Sequence, residues 1–260
     1  MYTVTSRIRD VKQPWGGFLR PSSMQQQIFS DNLCLQEGEN IHPSIIGLVV
    51  DYITRYMITG SGEKAFQISL KGAGIAALCY GDDRVVEIAY EVLSHIKSLD
   101  NKSIYYASKM VSFDIWYRNP SEALKTFDPG NINPSESTIE NIRIMIKRSL
   151  DFWNKYGPVV VDGFTFEPSG YSTIVSNGEG DYLTSDTIWD FKVLKSKPTS
   201  KHTLQILMYW IMGQHSGNSI FNSITKIGMF NPRLNIAYFI PISEISKDTI
   251  KQIESEVICY

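Results

Sequence analysis

The apolar positions of this chain follow one period in its first part and another in its second. Over 43–59 they recur at helical spacing, with Ile45, Ile46, Val49, Ile53, Tyr56 and Met57 forming a broad apolar face. Pro43 suits the first turn of that helix and Gly60 its end. Residues 65–79 are rich in Ala and Leu, and 84–97 carry Val85, Ile88, Ala89, Val92, Leu93 and Ile96 at helical spacing. Ser135 to Glu140 open a further helix reaching Trp153, with capping residues and early acid. From Pro158 the period becomes two. Residues 159–161 and 164–166 read as strands separated by Asp162-Gly163, and Pro168-Ser169-Gly170 turns the chain into 171–175 and the hairpin beyond. A hairpin (180–183, then 187–194) leads into a helix that starts near Pro198, with Thr199 or Ser200 as its cap. Strands over 224–229 and 234–240 flank the turn Asn231-Pro232-Arg233, and 245–257 reads as a closing helix. This order predicts an α/β fold, a mixed central β-sheet flanked by helices with a helical insertion, rather than repeating βαβ units. The expected layout is a single domain: an N-terminal arm (1–42), a first core helix (43–59), a helical elaboration (60–157) and a sheet core (158–260).

The hairpin carries the chemistry. Alternation along 187–194 puts Ile188, Asp190, Lys192 and Leu194 on one side of the strand, and Trp189, Phe191 and Val193 on the other. A loop of two residues or of four gives the same register, with Asp181 opposite Asp190. Facing carboxylates repel. A lysine two residues along helps, and a bound divalent cation, magnesium or manganese with oxygen ligands, offsets the rest. On the following helix Gln205 and Tyr209 lie four apart, hence on one face, where they can meet the charged end of the hairpin.

Asp181, then Asp190-Phe191-Lys192, then Gln205 and Tyr209 with three residues between them, resemble the PD-(D/E)XK nuclease superfamily in its RecB-like branch. That branch has a G-x-x-D strand, a D-x-K strand and a Q-x-x-x-Y helix in this order. The resemblance covers 178–213 and implies a restriction-endonuclease-like core that hydrolyses DNA with Mg²⁺ or Mn²⁺. It implies Asp181, Asp190, Lys192, Gln205 and Tyr209 as catalytic residues, and Asp181, Asp190 and the carbonyl of Phe191 as metal ligands. A fainter part lies upstream, where the branch has a glycine followed four residues later by a metal-ligating histidine. Here those positions are Gly47 and Asp51, so Asp51 takes the ligand's place; its other reading is an i,i+4 ion pair with Arg55. Glu167 and Glu179 either join the metal shell or sit on the surface. Lys195, Lys197, Lys201 and His202 either grip phosphates or form a solvated basic loop.

Composition narrows this further. The 260 residues, 43% hydrophobic and 12% aromatic, are those of a folded protein, and the net charge of −2 gives no bulk attraction to nucleic acid. A DNA-binding surface is therefore a local basic strip. Arg7, Arg9, Lys12 and Arg20 are candidates for it, or else belong to a solvated arm. Cys34, Cys79 and Cys259 are too few and too scattered for the iron–sulfur cluster that some RecB-like nucleases carry, and are expected to be buried thiols. Four dispersed histidines argue against a histidine-rich metallohydrolase. His42 is expected at the start of its helix. No GxxxxGK[ST] loop is present, so a helicase partner would act in trans. The polar start predicts neither signal peptide nor membrane span, hence the cytoplasm. The alternative function is a non-catalytic DNA-binding or partner-docking subunit on a nuclease fold.

Overall fold

The computed structural model describes residues 1–260. In chain order its first elements are β1 (Tyr2–Thr3), α1 (Val4–Asp10) and β2 (Gln25–Ile28). Helices α2 (Pro43–Thr59), α3 (Gly62–Ala65), α4 (Gln67–Tyr80), α5 (Arg84–Ser94), α6 (Asn101–Met110), α7 (Asp114–Arg118), α8 (Pro120–Thr126) and α9 (Glu136–Tyr156) follow. Then come β3 (Val161–Phe164), β4 (Val175–Asn177), β5 (Gly180–Leu183), β6 (Thr187–Phe191), α10 (Ser200–His215), β7 (Lys226–Asn231) and β8 (Ile236–Pro241). The last is α11 (Lys247–Gln252), which runs into a π-helical turn, Ile253–Ile258. No helix is long and apolar enough to cross a membrane. The chain divides into two compact units: residues 31–151, and residues 1–30 with 152–260.

The second of these is built on an open six-stranded sheet in the order β2-β8-β7-β6-β5-β3. Only β6 and β7 run parallel. Its central strands are apolar on both faces because both are covered. On one face α10 buries Leu204, Leu207 and Ile211 over Leu183, Ile188, Ile227 and Met229, and α1 adds Val4 and Ile8. On the other, Phe152 and Trp153 from the end of α9 meet Tyr182, Trp189 and Phe230. There the Phe152 and Phe230 rings stack at 4.3 Å and the Trp153 and Phe191 rings at 5.2 Å. The α/β fold class expected from the sequence is the one observed.

Four local expectations need correction. In place of two strands at 159–161 and 164–166 there is one short strand, β3, over Val161–Phe164, with Gly163 at a positive φ of 73° inside it. The D-x-K strand stops at Phe191; Leu194 leaves the sheet, its N–H and carbonyl taken by the side chain of Asn231. Residues 1–42 are not a solvated arm. Arg7 donates to the carbonyls of Val257 and Glu256, Leu19 and Met24 are buried, and β2 forms a sheet edge on β8. Residues 31–42 instead belong to the helical unit, tied to α9 through Asn141, Thr138 and an Arg148–Asp31 ion pair. The cysteines are not buried thiols: Cys34 and Cys79 are exposed and Cys259 is half-buried. Cys34 lies on an irregular stretch, and Cys79 sits between exposed Leu78 and Tyr80 on the outer side of α4.

Candidate active site

The pairs Tyr182–Trp189 and Leu183–Ile188 set the β5–β6 register. Continued by one residue, it puts Asp181 opposite Asp190 on the face that α10 covers. The Asp181 Oδ2 accepts from the Phe191 N–H at 2.9 Å, so the carboxylate itself closes the end of this hairpin. Gly180, just before it, faces Phe164 on β3; a Cβ there would lie 2.0 Å from the Phe164 ring. Only glycine lets β3 and β5 close over that ring.

Asp190 is 2% exposed. Its Oδ1 accepts from the Lys192 ammonium at 2.9 Å, whereas its buried Oδ2 has no hydrogen-bond partner. The Lys192 N–H donates to the Phe230 carbonyl, which keeps the backbone extended one residue past β6 and so keeps Lys192 on the same side as Asp190. On α10, Gln205 Nε2 donates to the Tyr209 hydroxyl at 3.1 Å. Burial, with Asp190 and Asp181 adding to it, pushes the Tyr209 phenol well above its ordinary pKa. The phenol thus stays protonated and within electrostatic reach of both carboxylates. Asp181, Asp190, Lys192, Gln205 and Tyr209 are brought together.

His202 joins them. Its Nδ1 accepts from the Thr199 N–H at 3.0 Å, closing the N-terminus of α10 in a capping box and leaving Nε2 as the protonated nitrogen of the neutral ring. Burial, then the nearby Lys192 charge, lowers its pKa. The sequence placed His202 only in a basic loop. The available signal was the Thr-x-x-His spacing, a capping-box pattern with histidine in the usual place of glutamate. Of the other candidates, Glu167, Glu179, Lys195, Lys197 and Lys201 are exposed, and Glu179 adds to the upward shift of Tyr209. Asp51 lies on α2 in the helical unit, where Arg55 Nε donates to its Oδ1 at 3.0 Å and its Oδ2 at 3.1 Å. The i,i+4 ion pair is therefore formed. His42 caps α2, accepting from the Ser44 N–H.

No group of three or more His, Cys, Asp or Glu able to hold a metal is present. The donors here are two carboxylates and the backbone. That set is too poor for zinc, but it suits magnesium, which keeps several waters and takes one or two carboxylates with substrate oxygens. The Asp190 Oδ2, buried without a hydrogen-bond partner, fits such an ion. Comparison of the chain with protein-family models, curated proteins and solved structures yields no match.

Proposed function

We propose that the sheet unit carries a RecB-like, metal-dependent nuclease site that hydrolyses DNA phosphodiester bonds with Mg²⁺, or Mn²⁺ in its place. The observation that supports this above the rest is the buried Asp190 Oδ2, without a hydrogen-bond partner beside Lys192. Leaving a buried acceptor unpaired costs about 1–3 kcal/mol, more when it is charged, and a hard cation there offsets the cost. Asp181, Asp190 and the Phe191 carbonyl, on the same edge of β6 as its N–H, would hold the ion. Asp51 enters the ligand set only through the resemblance. When bound, the ion polarises the phosphate and acidifies a water. The Lys192 ammonium faces the negative charge that grows on the phosphate oxygens. Gln205 steadies the Tyr209 oxygen, so that the phenol O–H is free to donate to a water or phosphate oxygen in the site.

The test is incubation of the full chain with linear and circular DNA, single- and double-stranded, with Mg²⁺, Mn²⁺ or EDTA. Loss of linear DNA alone marks an exonuclease, and nicking of circles an endonuclease. Asp190→Asn and Lys192→Ala should each slow cleavage by about 10²–10⁴-fold without unfolding the protein. Full activity in either variant, or in EDTA, overturns the reading. Intact DNA in every lane with binding retained would favour the non-catalytic DNA-binding subunit.

A further inference from the structure

The N-terminal stretch that this chemistry leaves unused builds a cavity. The sheet row holding Asp181 and Asp190 continues through Met229 and Tyr238 to Gln26 on the edge strand β2. Cross-strand neighbours share a face, so the whole row lies on the α10 side. At about 4.8 Å per strand, Tyr238 stands about 10 Å from Asp190. There Trp15, Arg20, Gln26, Lys197 and Tyr238 line a pocket of about 440 Å³. Ligand pockets span roughly 300–1,000 Å³.

Its parts are complementary to one kind of ligand. Trp15 is 89% exposed at the tip of a turn made by Gly16 and Gly17, both at positive φ. The turn is nonetheless anchored. Thr203 Oγ1 donates to the Leu19 carbonyl at 2.5 Å, and a Cβ on Gly17 would lie 2.4 Å from the Ser200 Cβ. An indole face is thus held out at the start of α10, with the Arg20 guanidinium 5.5 Å from a Trp15 ring centroid. Lys197 adds a second cation. Tyr238 is 2% exposed, and its hydroxyl has no hydrogen-bond partner. A free aromatic face, two cations and a buried hydroxyl in want of a partner match the π-face, the phosphate and the polar edge of a nucleotide. A paired base keeps its faces inside the duplex stack and offers none to Trp15.

We propose that this pocket is a subsite for an unpaired nucleotide of the substrate strand, its base stacked on Trp15 and its phosphate held by Arg20 and Lys197. The inference rests on the nuclease reading and makes single-stranded nucleic acid the substrate class. The test measures binding of the full chain to labelled single-stranded oligonucleotides in EDTA, by fluorescence anisotropy. One series carries a single abasic residue at successive positions. Trp15→Ala should weaken binding about tenfold, as loss of one base–aromatic stack does. One abasic position should weaken binding to the wild type by a similar factor and to Trp15→Ala no further, because both changes remove the same contact. Arg20→Ala should weaken both oligonucleotides alike, and duplex of the same sequence should bind less tightly than the single strand. Wild-type affinity in Trp15→Ala, additive losses, or equally tight duplex binding overturns the subsite. The two readings fail separately. Cleavage by the wild type with unchanged Trp15→Ala binding sinks the subsite alone. Trp15-dependent binding by a chain that never cleaves sinks only the nuclease.

Discussion

His202 does two things with one ring: Nδ1 closes the end of α10, and the ring edge shares its surroundings with Lys192 and Asp190. Burial, then the Lys192 charge, favours the neutral form over the opposing pull of Asp190, and the cap requires it. Protonating Nδ1 would abolish the cap acceptor, and the new charge would sit near the Lys192 ammonium. Because the folded pKa is depressed, the stability it contributes is complete above the unfolded value of about 6.5 and is lost as pH falls through the lowered folded value. His202→Gln keeps an acceptor at the third helical position but cannot titrate. Its melting temperature should fall less than that of the wild type between pH 7.5 and 5; parallel curves would remove His202 from this role. The placement of the five candidate residues was legible in the sequence because strand period two and helix spacing four are local rules. They fix that Asp190 and Lys192 share a side and that Gln205 and Tyr209 share a face. The place of His202 beside Lys192 depends on how α10 lies over the sheet, which no local period encodes.

At the scale of elements, the hairpin is positioned by what its neighbours lack. Gly180 makes room for the Phe164 ring on one side, and Gly228 on β7 makes room for the Trp189 ring, 2.3 Å from where its Cβ would be. Alanine at either position forces an aromatic ring off its seat, an overpacking cost of about 1–3 kcal/mol. The two differ in consequence. Gly228→Ala pushes on the face away from α10, whereas Gly180→Ala pushes on the Phe164 ring from the position next to Asp181. Under the nuclease reading both should lower stability in chemical denaturation, and Gly180→Ala should lose more cleavage per unit of stability lost. Equal loss of activity would separate this glycine from the site. Helices such as α2 and strands such as β7 announced themselves through apolar periodicity. The edge strand β2 did not: its sequence, QQQI, has no alternation to read, since neither of its faces is buried, with Gln25, Gln26 and Ile28 exposed and Gln27 half-buried. With β2 hidden, the cavity at Gln26 and Tyr238 was hidden too.

At the scale of the molecule, the net charge of −2 makes any affinity for nucleic acid a property of a local group of cations rather than of the whole surface. The order in which the chain is joined has a further consequence. Residues 1–30 and 152–260 make one unit, while 31–151 are contiguous. During synthesis the helical segment can be complete before β3 has been made. The N-terminal thirty residues, although translated first, find their partners last: α1 needs α10, and β2 needs β8 at 236–241. Loop closure across some two hundred residues is slow compared with local helix formation. A chain stopped after residue 174, before β4, α10 and β8, should therefore keep 31–151 resistant to protease while 1–30 is digested, and a protected N-terminus in that truncation would contradict this order. Until the ribosome delivers β8, β2 and the Trp15 turn behind it have no sheet to join, so this protein waits for its last strands before it has either an edge or a pocket.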